Sequence, residues 1–154
     1  MTKKINYQKA LLWGAIVLII HMLIGNLFYM NPFVMDIFQR YEGHPTMKSM
    51  EVFGGMSNWI ILNAGFSVLY IVFLIILYCT IYESIPGKSW VKGISYGVLI
   101  GLIKAVPEAF NQFMVLNYPA ELILVQLVIA ILGLIIFGIL LYVFFNKFKV
   151  IVIE

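Results

Sequence analysis

VKGISYGVLIGLIKAVPEAFNQFMVL, residues 91–116, is a helix-length segment with two unlike faces. Gly93, Gly97, Gly101, Ala105 and Ala109 recur at every fourth position. At about 100° per residue, that spacing draws a slowly drifting stripe of small side chains along a helix. Lys104, Glu108, Asn111 and Gln112 project over the same half, while Leu99, Leu102, Ile103, Val106, Phe110 and Phe113 occupy the other. In water the large apolar face would turn inward. In lipid the order inverts: small and polar residues pack against protein and large apolar ones face the hydrocarbon. The segment reads as a membrane-spanning helix.

The rest of the chain agrees. Of 154 residues, 63% are hydrophobic and only 11% are charged, and the mean hydropathy is +1.01. A soluble domain this short cannot bury so much apolar surface. Crossing the hydrocarbon takes about 20 mostly apolar residues, and three further segments qualify, at about 10–30, 58–82 and 120–145. A β-barrel needs short alternating segments and is excluded by these long continuous runs. Lys3, Lys4 and Lys9 before the first run resemble a signal-peptide start, yet the apolar stretch is too long and no small-x-small cleavage site follows, so a retained helix is expected. The fold class is therefore all-α: one four-span membrane domain over 1–154, an antiparallel four-helix bundle with an outer amphipathic lid segment at 31–57.

Lys3, Lys4, Lys9, Lys88, Lys92, Lys147 and Lys149 fall on one side of this arrangement and Arg40 and Lys48 on the other. The excess marks the first side, with both termini, as cytoplasmic in a multi-pass inner or plasma membrane protein. The net charge of +3 comes from these flanking residues; they suit anionic lipid, and no motif supports nucleic-acid binding. Ser84-Ile85-Pro86-Gly87-Lys88 reads as an inner turn and Asn117-Tyr118-Pro119 as an outer one, which makes the last two spans antiparallel neighbours. On the outer side, Asn31-Pro32 reads as a helix N-cap and first position. Phe33, Ile37, Phe38 and Tyr41 then share one face, opposite Asp36, Gln39 and Arg40, as in an interfacial helix. Gly43-His44-Pro45 ends it, and Thr46 starts a further turn. The single cysteine, Cys79, lies in an apolar run and reads as inert packing.

Each span offers a face to match the small-residue stripe: Gly14, Leu18, His21 and Gly25; Trp59, Asn63, Ser67 and Tyr70; Gln126, Ala130 and Gly133. The simplest assembly turns these faces inward. Gly93, Gly97 and Gly101 could alternatively pack a second copy of the chain, making a homo-oligomer. By depth, His21 and Lys104 fall near mid-span, and Asn63, Ser67, Glu108, Asn111, Gln112 and Gln126 in the outer halves, above inner halves with almost no polar side chain. This pattern describes an outward-facing polar cavity that binds or moves a small ligand or proton, with ligand-binding candidates His21, Asn63, Ser67, Lys104, Glu108, Asn111, Gln112 and Gln126. A charge at mid-membrane costs roughly 2.5–3.5 kcal/mol, so Lys104 needs a reason to be there. The i, i+4 spacing of Lys104 and Glu108 predicts an ion pair, in which loss of either partner alone costs about 3–5 kcal/mol and joint removal restores most of it. Pro107 leaves the Ile103 carbonyl without its usual donor.

Other functions are less well supplied. His44, Met47 and Met50 have helical spacing and soft ligand atoms suited to Cu(I), but no dense methionine cluster accompanies them. Haem between paired histidines fails because His44, the only partner for His21, lies in the outer loop. No H-E-x-x-H, G-x-S-x-G or phosphate loop is present, and Glu108 is the only candidate acid or base in the membrane, with Glu121 at the outer surface, so the reading leans away from an enzyme and assigns no cofactor. A structural or accessory subunit, whose polar seam only specifies assembly, is the main alternative, and an intramembrane enzyme a further one. Length, four spans and Lys92-Gly93-Ile94-Ser95-Tyr96-Gly97 at the start of the third span resemble small four-span membrane proteins of bacteria and archaea. That resemblance implies the four-span fold and no particular activity. The arginine-rich site of the four-helix eicosanoid and glutathione enzymes is absent, since Arg40 is the sole arginine.

Overall fold

The computed structural model describes residues 3–45 and 50–153. It is an all-α four-helix membrane bundle. In order the elements are strand β1 (Lys3–Ile5), helix α1 (Tyr7–Tyr29), helix α2 (Pro32–Arg40), a 3-10 turn (Met50–Phe53), helices α3 (Met56–Ile81), α4 (Val91–Val115) and α5 (Ala120–Lys147), and strand β2 (Ile151–Ile153). Helices α1, α3, α4 and α5 are all long and apolar enough to cross a membrane.

Local chemistry sets the ends. Asn6 caps α1 by accepting from the Lys9 amide at 3.0 Å, so α1 starts three residues before the expected span. Asn31 caps α2 as expected, accepting from the Phe33 amide at 2.9 Å with Pro32 in the first turn. Helix α4 runs through Pro107 without a break. The turn expected at Thr46 lies outside the described residues.

A feature absent from the sequence reading ties the termini together. Strand β1 pairs antiparallel with β2, Lys4 opposite Val152, and the Asn6 amide extends the ladder to the Val150 carbonyl at 2.9 Å. Lys9 Nζ donates to the Phe148 carbonyl at 3.3 Å, and Trp13 stacks on Phe148 with ring centroids 3.4 Å apart. Both termini therefore lie at one end of the bundle. Two three-residue strands are too short to be stable alone; the packing beneath them, with Val150 fully buried, holds them.

The small-residue stripe of α4 is spent inside the chain. A Cβ on Gly93 would strike the Gly138 backbone, and one on Gly97 would strike the backbone of Leu134 and Ile135. Gly138 meets Gly93 in return. Gly93, Gly97 and Gly101 are buried against α5 in this way, which is the intramolecular use of the stripe that the matching polar faces favour. Close approach of two backbones is what a membrane helix pair gains from glycine, because dispersion contacts replace the hydrophobic drive that lipid removes.

The packed core occupies the half of the bundle nearest the termini. It joins Ala10 and Val17 of α1, Ile71, Leu74, Ile75, Tyr78 and Cys79 of α3, Tyr96 and Ile100 of α4, and Leu134, Phe137, Leu141 and Phe145 of α5. This half is less purely apolar than expected, for Tyr78 and Tyr96 are both fully buried in it. The Tyr96 hydroxyl donates to the Leu74 carbonyl, and its ring meets Tyr78 edge-on at 4.9 Å. Every buried residue of α3 lies between Ile71 and Cys79. From Met56 to Tyr70 none is buried. Helix α3 is pinned in the terminal half and stands off the bundle in the other.

Candidate functional site

The standing-off of α3 creates the site. On the side of α4 that meets α3, Tyr96 and Ile100 are buried, but Lys104, one turn further along, is exposed. Beyond it lies a cavity of about 310 Å³ walled by α1, α4 and α5, with Tyr29, Lys104, Glu108, Gln112 and Gln126 as its polar lining and Ala105, Ala109, Ile123, Leu127 and Ala130 as its apolar one. Helix α3 contributes none of this lining. It reaches the site at Tyr70, whose ring lies 4.4 Å beneath the Lys104 ammonium. The side of the cavity towards α3 is lined by no residue of that helix, which touches the site only through the Tyr70 ring under Lys104.

The expected Lys104–Glu108 ion pair does not form. Among the described residues neither side chain has an oppositely charged group within 4.0 Å; the ion pairs there are Arg40–Asp36 and Arg40–Glu121. The i, i+4 spacing permits contact without compelling it, and here the lysine swings onto the Tyr70 face. A cation over an aromatic ring is worth about 0.5–2 kcal/mol, less than a full charge at this depth costs. Glu108 shares the lining with Tyr29 and Gln112, the latter one turn further along α4. No direct contact joins the two charges, although both face one cavity and lie near Tyr70. In a double-mutant cycle with Lys104→Met and Glu108→Gln, the coupling should stay near about 1 kcal/mol, in the lower part of the range for residues that share a cavity. A coupling above about 2 kcal/mol would mean that the two residues pair in the membrane. This replaces the rescue expected from the sequence.

Of the eight sequence-derived candidates, Lys104, Glu108, Gln112 and Gln126 converge on the cavity. His21 does not. Its ring sits edge-on to Phe137 at 5.3 Å and over Gly133, whose missing side chain leaves room for it. Its Nδ1 is buried and makes no hydrogen bond to the protein. Asn63 and Asn111 are exposed and Ser67 half-buried, and none of the three lines the cavity. Asn63 and Ser67 lie on the stretch of α3 that stands away, so sequence periodicity placed them on the correct face of a helix that does not close. Tyr29, near a span end where tyrosine is common, was missed, and Tyr70, already placed on the inward face of its span, was not counted among the ligand candidates; packing brings Tyr29 into the lining and the Tyr70 ring under Lys104.

Above the cavity, α2 folds back on the bundle. Its apolar face buries Ile37, and Phe38 meets Tyr29 edge-on at 6.0 Å. Arg40 and the Tyr41 hydroxyl both bind Glu121, in the first turn of α5, at 2.9 and 3.1 Å. The ion pair is half exposed, with side chains 50% and 38% accessible, so solvent leaves it worth less than about 1 kcal/mol. It positions α2 rather than holding the fold. Gln126 donates to the Tyr118 hydroxyl at 3.0 Å and so aligns the α4–α5 turn with the cavity mouth. For copper, Met47 lies outside the described residues and the Met50 side chain is likewise not described; His44 packs edge-on to Tyr41 at 6.2 Å. A larger groove of about 440 Å³ runs beside β1 and β2 at the other end.

No protein-family model, curated protein or solved structure matches the chain. The functional reading rests on the chemistry of the cavity.

Proposed function

We propose that the chain is a multi-pass inner or plasma membrane protein, termini cytoplasmic, whose outward-facing intramembrane cavity binds or moves a small ligand or proton. One observation carries this reading: Lys104 and Glu108 share a cavity with Gln112 and Gln126, yet neither charge is neutralised by the other. A seam serving assembly alone would pair its charges, because an unpaired ion in low dielectric is what such a seam must avoid. Ionisable groups at this depth, facing a cavity, are functional by default. The closed core at the terminal end supports access from one side only.

Cysteine labelling tests both orientation and water access. In a Cys79→Ser background, a membrane-impermeant thiosulfonate added to intact cells should modify Ser49→Cys and Gln112→Cys and leave Ser89→Cys and the lipid-facing Phe113→Cys unmodified. The reagent needs a thiolate, which forms in water and not in hydrocarbon. Labelling of Ser89→Cys from outside would invert the orientation. An unreactive Gln112→Cys, with Ser49→Cys labelled, would leave a dry packed seam and favour an accessory subunit.

A further inference from the structure

We propose that the cavity selects a zwitterion bearing an anionic group and a primary ammonium, the anionic group on Lys104 and the ammonium on Glu108, with a phosphoethanolamine headgroup as the best-fitting form. The inference rests on the cavity reading above and names its ligand.

Three features carry it. The first is the pair of separate opposite charges. A purely anionic ligand would satisfy Lys104 and be repelled by Glu108, and a cation would meet the reverse problem. Only a ligand with both signs offsets both residues, each of which lacks an oppositely charged protein partner among the described residues. One helical turn, about 6 Å of rise, separates them, a span that a short ethanolamine arm can bridge. Gln112 and Gln126 add amide donors and acceptors at the mouth, and the ring of Tyr70 already backs the lysine.

The second is size. At about 310 Å³ the cavity sits at the lower limit for ligand sites, which run from about 300 to 1,000 Å³. It accepts a headgroup and not a whole lipid. Apolar tails must then leave sideways. The side that α3 leaves unlined, where it stands away between Met56 and Tyr70, leads directly into the hydrocarbon.

The third is the order of the charges. Lys104 is the deeper of the two and Glu108 lies one turn nearer the α4–α5 turn. In a phosphoethanolamine lipid the phosphate adjoins the tails and the ammonium lies outermost. A lipid entering sideways from the leaflet at that end therefore presents its charges in the order in which the helix receives them. A primary ammonium also donates hydrogen bonds to Glu108, which the quaternary ammonium of choline cannot.

Native mass spectrometry of the full chain, delipidated and reloaded with equimolar synthetic phosphatidylethanolamine, phosphatidylcholine and phosphatidylglycerol, decides the matter, with glycerophosphoethanolamine as the tail-free arm. The expected result is phosphatidylethanolamine retained at least tenfold over the other two, with Glu108→Gln abolishing the preference over phosphatidylglycerol and Lys104→Gln lowering retention of all three phospholipids. Displacement by glycerophosphoethanolamine at similar concentration would assign the site to a free zwitterion; failure to displace would assign it to the lipid. Equal retention of phosphatidylethanolamine and phosphatidylglycerol, unchanged by Glu108→Gln, overturns the zwitterion while Gln112→Cys labelling can still uphold a cavity. No retention of any headgroup, with Gln112→Cys also unreactive, overturns both. Both variants are expected to insert and elute as the wild type, because neither breaks an ion pair and Lys104→Gln gives up only the contact with the Tyr70 ring; Glu108→Asp, which keeps the charge, serves as the control for folding and should retain the preference.

Discussion

Gly97→Ala destabilises the bundle, although glycine to alanine ordinarily stabilises a helix by about 0.8–1.0 kcal/mol. The added methyl would strike the backbone of Leu134 and Ile135, and backbone cannot rotate away as a side chain can. Helices α4 and α5 must separate, losing the close contact that runs from Gly93 to Gly101. Overpacking costs typically 1–3 kcal/mol, and a larger Gly97→Leu should exceed that range and leave the protein aggregated after detergent extraction. Two controls fix the sign. A Cβ on Gly25 meets nothing within 4 Å, and one on Gly101 meets Ile131 at an ordinary 3.5 Å; both alanine variants should match or exceed the wild-type melting temperature in detergent. If Gly97→Ala melts with them, α4 and α5 do not approach as closely as described here.

Tyr96→Ala frees α3. This tyrosine is fully buried, binds the Leu74 carbonyl and packs edge-on against Tyr78 at 4.9 Å. It is the chief polar tie between α4 and α3. Removing the side chain leaves a large cavity, with an expected loss of about 3–5 kcal/mol by analogy with other aromatic truncations. Tyr96→Phe keeps the ring and loses only the hydrogen bond, for about 0.6–1.5 kcal/mol. Unfolding titrations in mixed micelles separate the two. Limited proteolysis of Tyr96→Ala should also cut the turn between α3 and α4 near Gly87 first, because α3 would then have lost its buried tie to α4. Equal stability of the alanine and phenylalanine variants would show that packing at this position is not what pins α3.

Much of the architecture follows from residue type and spacing. The four apolar runs, the Asn31-Pro32 cap and the amphipathic α2 were all legible, since lipid and the helix period act on each segment separately. The orientation of α4 was legible too: small residues every fourth position locate the face that meets another helix. Lys104, Glu108, Gln112 and Gln126 were found by that same periodicity. His21, Asn63, Ser67 and Asn111 were grouped with them because a helical face indicates direction, not contact.

What the sequence by itself determined is which segments are long and apolar enough to cross a membrane, their bounds to within a few residues, and which side of each helix is polar. These depend on hydrophobicity, capping and a 3.6-residue period, all local quantities. Tertiary structure alone decided the rest. It set the glycine stripe against α5, and tied the termini through β1 and β2. It also sent His21 to Phe137 and turned Lys104 onto Tyr70 instead of Glu108. It pinned α3 at one end only, through Tyr96 and Tyr78. Those outcomes turn on how far apart two helices stand, and helix separation is set jointly by the side chains of both, which no single segment contains. The cavity exists because that separation changes along α3, and its two unpaired charges are a property of the gap.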